Sequence, residues 1–345
     1  MRKSFAVLAM LILSSVPMRL AAQADTAPKT HTLTATPKTI IWGYFDSAAK
    51  PVLKIKSGDT VEVQTLLAGS PERLRGALLP AEEIEQALQD VFNEVKDKGP
   101  GGHILTGPIY IDGAEPGDVL EVRIQEIKLA IPYGYCGFVP KRGFLPEDFA
   151  RERFKIVRLD DKRMVGHFAK GIEVPLRPFF GCLGVAPPPA LGRVSSGPPG
   201  VHAGNLDNKE LIAGTTLFIP VHVPGALFAA GDGHAAQGNG EVCLTAIETS
   251  LRAKFQFVVR KDMKLRWPRA ETPKHHIVMG LDADLTKATK LAVREAIDFL
   301  AAEKGLTRDE AYMLTSVAVD FSITQLVDGT LGVHGMIPKS LFGKK

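Results

Sequence analysis

The sequence predicts a mostly β, α+β protein. Two intimately associated β-barrel or sandwich-like parts carry a few helices, two of them paired near the C-terminus. Three observations predict this. Alternation of apolar and polar residues recurs in "VLKIKSGDTVEVQTL" (52–66), "GDVLEVRIQEIKL" (117–129), "TTLFIPVHVPG" (215–225), "KFQFVVRK" (254–261) and "HHIVMGLD" (275–282), with Gly, Pro, Asp and Asn at the boundaries. Helical spacing is confined to a few stretches. Finally, "KSGDTVEV" (56–63) and "EPGDVLEV" (115–122) share one design, a Gly-Asp turn followed by an alternating strand, as matching parts of one barrel or sandwich would.

Taken in chain order, the N-terminus reads first as an export signal. "MRKS" is positive, "FAVLAMLILSSVPM" is an apolar run too short for a comfortable membrane span, and Ala22-Gln23-Ala24 fits signal peptidase. Residues 1–24 are expected to be removed by cleavage after Ala24, giving a periplasmic or secreted protein without stable membrane insertion. The alternative is a membrane anchor. Residues 25–185 form an N-terminal β-rich part with one helix near 80–98, where Ile84, Leu88, Val91, Phe92 and Val95 make one stripe between Pro80 and Gly99-Pro100. Residues 186–345 form a C-terminal β-rich part with helices at 285–305, ended by Gly305, and 307–319, opened by a Thr307/Glu310 capping box. The boundary falls in the Pro-, Gly- and Ser-rich stretch 186–208, a linker or a functional loop.

Composition narrows the function classes. The 345 residues are 45% hydrophobic, enough for a sizeable core. The 42 basic and 38 acidic residues are dispersed, and no basic stripe with interleaved aromatics supports nucleic-acid binding. Cys136, Cys182 and Cys243 show no C-x-x-C spacing. An oxidising compartment would permit one disulfide, but a chain of this length does not need staples, so free buried thiols are expected. Strand edges allow a homodimer, and nothing in the sequence decides it.

Chemistry concentrates in glycine-bordered segments. In "GALFAAGDGHAAQGNGEVCLTAIE" (225–248), Asp232 and His234 are two apart and share a face if extended. Glu241, Cys243 and Thr245 are expected on one face of a following strand. A tight turn would gather Asp232, His234 and Glu241 into a divalent-metal site, zinc foremost. The bland alternative is a solvated hairpin. In "HAGNLDNKE" (202–210), His202, Asn205 and Asp207 stand close, either as site residues or as an Asx-rich turn. In "GPGGHILTGP" (99–108), His103 and Thr106 follow a flexible bend. Among the other histidines, His275 or His276, near Asp282, could face the site, His222 suits a core role, and His31, His167 and His334 give no signal.

"GGHILTGPIYIDGAEPGDVLEV", "FFGCLGVAPP", "GNLDNKEL", the 225–248 stretch and "SVAVDFSITQLVDGTLGVHGMIPKSLF" resemble, in this order and over about residues 30–343, the acetamidase/formamidase family. The resemblance implies hydrolysis of short amides to carboxylate and ammonia, a mostly β fold and a divalent metal in some members. It carries the family's Gly-Asp-Gly-His…Gln-Gly…Gly-Glu signature onto Asp232, His234, Gln237 and Glu241. Its Gly-Asn-x-Asp element falls on Asn205 and Asp207, and its histidine, loosely, on His103. This chain has Asn239 where the family usually has Asp.

On this reading the metal ligands are Asp232, His234, Asn205 and Asp207. Glu241 is the base or a further ligand, and Gln237 or a backbone N–H holds the amide oxygen. His103 protonates the leaving ammonia, and Thr106 and His202 contact substrate. Three alternatives compete. One is a Cys243 nucleophile completed by Lys209 and Glu210, another an exported metal- or small-molecule-binding β protein without amidase activity. The weakest is a serine mechanism on Ser195 or Ser196, which lacks the G-x-S-x-G elbow.

Overall fold

A computed structural model describes residues 27–343. The expected signal segment 1–24 lies outside the described residues. Two large sheets account for most of the chain. The first runs, in spatial order, through Thr30–Leu33, Thr60–Gln64, Leu251–Arg260, Val119–Leu129, Thr215–Pro220, Arg269–Glu271, His275–Asp282, Leu331–Pro338 and Asp320–Gln325. The second runs through Ile172–Pro175, Val165–Ala169, Arg153–Asp160, Tyr133–Phe138, Ile247–Glu248, Phe228–Ala236, Phe179–Gly184 and Ala203–Asn205. Ile104–Asp112 also pairs with Phe228–Ala236, and joins Ile40–Trp42 and Leu53–Lys56 to this sheet. Of barrel and sandwich, the sandwich is realised; no closed barrel forms among the described residues. Each sheet takes strands from both sides of residue 185, so the two parts are interleaved rather than side by side.

The faces of the sheets meet in an aromatic core. Phe180 and Phe228 from the second sheet pack on Phe255 and Phe257 from the first, with ring centroids 5.0–6.0 Å apart in edge-on geometry. Truncating one such ring to Ala costs about 3–5 kcal/mol. The two Gly-Asp segments do occupy matching positions, because Thr60–Gln64 and Val119–Leu129 flank the same strand, Leu251–Arg260, on its two edges. Their turns are built alike. Asp59 Oδ2 accepts from the backbone N–H of Lys56 and Asp118 Oδ2 from that of Glu115, both at 3.0 Å.

The C-terminal helices are Leu285–Lys304 and Arg308–Ala318, with Gly305 left-handed between them and both halves of the Thr307/Glu310 capping box formed. Helix 285–304 lies directly on strand His275–Asp282. A Cβ on Gly280 would overlap the carbonyl of Ala288, so only glycine allows this approach. The expected helix at 80–98 is shorter. A 3-10 turn occupies Ala81–Glu83, Ile84 is extended, and the α-helix spans Gln86–Glu94. The break turns Glu85 toward Ser250, whose hydroxyl it hydrogen-bonds, while Ile84 and Leu88 still reach the core. A further short helix, Pro71–Gly76, is capped by Ser70. No helix among the described residues is long and apolar enough to cross a membrane.

Candidate active site

The site forms at a break in the second sheet. Strand Phe228–Ala236 is paired along one edge with Phe179–Gly184. On its other edge Ile104–Asp112 pairs only as far as Gly231, and Ile247–Glu248 takes over at His234. Asp232 falls in the gap, with a left-handed backbone at φ 57°. The alternation that predicts Asp232 and His234 on one side holds, but the segment is a fully buried central strand rather than a flexible hairpin tip. Its glycines admit neighbouring backbone: a Cβ on Gly231 would overlap the Ile104 carbonyl. Gly181, on the adjacent strand, is the floor of the site. A Cβ there would overlap Oδ2 of Asp232 and Oδ1 of Asp207.

Four of five clustered carboxyl groups, those of Asp207, Asp232, Glu241 and Glu248, stand within 4.0 Å of the His234 ring nitrogens, and the fifth, Asp328, lies beside Asp207 and Glu241. His234 Nε2 stands 3.4 Å from Asp232 Oδ2, 3.3 Å from Glu248 Oε2 and 4.0 Å from Glu241 Oε1. Its Nδ1 is 3.8 Å from Asp207 Oδ1. His103 Nε2 stands 3.8 Å from the same Asp232 Oδ2. Among the described residues, no lysine or arginine forms an ion pair with any of the five acids. His234 Nε2, Glu248 Oε2, Asp207 Oδ1 and Asp328 Oδ2 are buried without a hydrogen-bond partner. Orphaned groups of this kind are costly and rare, and a catalytic role or a bound water or ion accounts for them.

The hydrogen bonds fix both imidazoles in one tautomer. Gln237 Nε2 donates to the Asp207 carbonyl at 2.8 Å, so its Oε1, 2.9 Å from His234 Nδ1, must accept. Nδ1 of His234 therefore carries a proton. Nδ1 of His103 lies 3.0 Å from the Ser196 carbonyl, which can only accept, so it too is an N–H. When neutral, both rings present Nε2 lone pairs toward one carboxylate oxygen, an arrangement that needs protons or a cation between them. Metal-binding histidines are commonly tied down through the other ring nitrogen in this way.

The electrostatics agree. Burial pushes the carboxyls of Asp207 and Glu241 well above their usual range, and those of Glu248 and Asp328 up to about 7, with the crowding of like charges adding to it. Burial works the same way on Asp232, but His103 and His234 outweigh it and hold that carboxyl low. Burial disfavours charge on His234, yet Glu248 and Asp232 raise its pKa well above the usual value.

Several expected site residues take other places. Gln237 is not free to hold an amide oxygen, since both ends of its amide are engaged in orienting His234. Asn205 is buried beside the site, where its Oδ1 accepts from the Cys182 thiol at 3.0 Å. Thr106 is buried with its hydroxyl donated to the Gln64 carbonyl, so it does not face a substrate. His202 is not gathered either. Its ring packs edge-on against Phe45, and the nearest charge acting on it is His222 rather than the acids. Residues 241–246 form a loop rather than a strand, with Glu241 and Leu244 at positive φ, so the shared face of Glu241, Cys243 and Thr245 does not exist. The Cys243 sulfur lies beside Cys136 and the Gly137 and Thr245 carbonyls, whereas Glu210 is paired with Arg177 at 2.7 Å; no Cys-Lys-Glu group assembles. Ser196 is buried and braces His103. His276 packs against Phe299, away from the site. Asn239 is exposed. Glu248 and Asp328 were not foreseen, although both stand inside the conspicuous segments "VCLTAIE" and "QLVDGTLGVHG".

Fold and site thus define a β-sandwich protein with a buried carboxylate–imidazole centre at a sheet break. The profile of the Acetamidase/Formamidase family matches residues 50–197 and 194–344, and the chain belongs to that family. It is similar to the crystal structure of an acetamidase from Bacillus halodurans, with 30% identity and a TM-score of 0.77 over 90% of this chain and 98% of that one. It is likewise similar to an acetamidase structure from Yersinia enterocolitica, with 30% identity and a TM-score of 0.79 over 94% and 96%. In sequence it is 27% identical over 213 residues to an acetamidase of Mycolicibacterium smegmatis, covering 44% of this chain and 52% of that protein. The chain spans about half the length of the curated relatives it matches.

Proposed function

We propose that this protein is an exported, metal-dependent amidase that converts a short-chain amide of the formamide or acetamide kind to carboxylate and ammonia. The observation that carries the reading is the convergence of His103 Nε2 and His234 Nε2 on Asp232 Oδ2, with both Nδ1 atoms held as donors. Family membership and the names of the relatives supply the reaction class.

The donor set fits a divalent cation, zinc foremost. Two ligands about 2.0–2.1 Å from a tetrahedral zinc stand roughly 3.3–3.4 Å apart, and His234 Nε2 lies 3.4 and 3.3 Å from Asp232 Oδ2 and Glu248 Oε2. Asp232, Asp207 and His234, which lie within ligating reach of one another, would hold it, with Glu248 beside His234 and His103 beside Asp232. His103 stands beside this set, next to Asp232, where it can serve as the proton donor for ammonia. When bound, the cation would acidify a water and polarise the amide carbonyl.

The chain's own groups do the rest. Glu241 is buried with Oε1 4.0 Å from His234 Nε2, a position from which its carboxylate can take a proton from the attacking water. Protonation matters because an amide nitrogen leaves poorly without it. The acids are buried, and their separation from bulk water strengthens each charge interaction.

Ammonia release from formamide, acetamide and longer amides, assayed with and without chelator, tests the reading. Release that stops on chelation and returns with zinc supports it. Bound metal without release would favour the binding-protein alternative, and release indifferent to chelation would reject the metal.

A further inference from the structure

Cys136 and Cys243 are 107 residues apart in sequence, yet their sulfurs stand 3.8 Å apart. Cys136 lies on strand Tyr133–Phe138, and Cys243 lies in the loop that begins with Glu241. Both are half-buried, whereas Cys182 is fully buried and donates to Asn205. The pair lines a cavity of about 440 Å³ whose walls include Phe138, Phe144, Phe149 and Val242. Phe144, Phe149 and Val242 are about half exposed, so the cavity opens to solvent and a small reagent reaches the sulfurs.

The surrounding backbone holds the two sulfurs in register. Thr245 Oγ1 accepts from Gly137 N at 2.9 Å, and the Val242 carbonyl accepts from Phe144 N at 2.9 Å. The loop is neither strand nor helix, so the remaining approach to the bonding distance of about 2.05 Å asks for a side-chain turn and a local shift, not a rearranged sheet.

We propose that Cys136 and Cys243 are a modification site that closes to a disulfide when the protein meets a disulfide oxidant, either a small molecule such as oxidised glutathione or a dithiol oxidoreductase. One thiolate attacks a sulfur of the oxidant, forming a mixed disulfide and expelling one thiol. The second cysteine then attacks the protein sulfur of that mixed disulfide and expels the other. Both protein thiol protons end on the two released thiols, and the oxidant is reduced by the two electrons the pair gives up. The bridge ties the Glu241 loop to strand Tyr133–Phe138, which also pairs with Glu248 through Tyr135. Two acids of the candidate centre are thereby anchored to one covalent link. Cys182 is the thiol left over.

The test is equilibration of the full chain with oxidised glutathione, then denaturation, alkylation, intact mass and peptide mapping. The expected result is a protein lighter than its reduced form by about 2 Da, alkylated only at Cys182, with a Cys136–Cys243 cross-linked peptide. C182S is expected to form the same bridge, and C136S is expected to form none. Alkylation at all three cysteines, a bridge that includes Cys182, or a bridge that survives in C136S overturns the proposal.

Discussion

His103 and His234 both approach one atom: their Nε2 atoms stand 3.8 and 3.4 Å from Oδ2 of Asp232. Neither ring is free to turn, because Ser196 holds the Nδ1 of one and Gln237 that of the other. This convergence organises the centre, and the predictions below follow from it and from the scaffold that holds it.

Gln237 orients His234 through its side-chain amide. Gln237→Ala should lower metal affinity and turnover by roughly 10–100-fold, the usual effect of losing a ligand's outer partner. Metal titration of the purified variant checks it, with circular dichroism confirming the fold. An unchanged metal affinity would show that Nδ1 needs no acceptor.

Gly181→Ala places a methyl against Asp232 and Asp207. The carboxylates must move, so bound metal and activity should fall together, with a stability loss of about 1–3 kcal/mol from overpacking. Metal content and a denaturant titration measure both. A fully loaded, fully active variant would mean that the floor of the site lies elsewhere.

Asn239→Asp restores the residue the family usually carries. Because Asn239 is exposed and outside the acid cluster, activity and metal content should stay within about twofold; surface changes away from special features alter free energies by about ±0.5 kcal/mol. A large gain in activity would place this side chain in the chemistry.

Asp59 should contribute acid-sensitive stability. Burial opposes its charge, but the backbone N–H groups of Lys29 and Lys56 and the ring of His31 outweigh it, leaving the carboxyl below its ordinary range. A carboxyl lowered in the folded state stabilises above its unfolded value of about 3.9 and loses that contribution as pH falls through the folded value. The difference in unfolding free energy between the wild type and Asp59→Asn should therefore be largest above about pH 5 and shrink on acidification below about pH 4. A difference independent of pH would contradict it.

Local periodicity made some features legible. The alternation in "HHIVMGLD" gives strand His275–Asp282 without error, and Thr307 with Glu310 marks a real helix start, because both signals act over a few neighbouring residues. The pairing of Asp232 with His234 was readable for the same reason. Glu248 was not, because residues 241–246 turn through positive φ and break the alternation that would have tracked it. Asp328 sits in an Asp-Gly pair that reads as an ordinary turn. His202 and Thr106 illustrate the converse: closeness in sequence to Asn205 and His103 does not say where a side chain points, and packing against Phe45 and a bond to Gln64 settled both.

The most direct measurement of the central claim is an anomalous-difference map from crystals of the protein as purified, recorded on both sides of the zinc absorption edge. One strong peak is expected about 2.0–2.2 Å from Nε2 of His234 and a carboxylate oxygen of Asp232, present above the zinc edge and lost below it. An active protein with no peak there, or with the His234 imidazole hydrogen-bonded directly to Asp232, would contradict it.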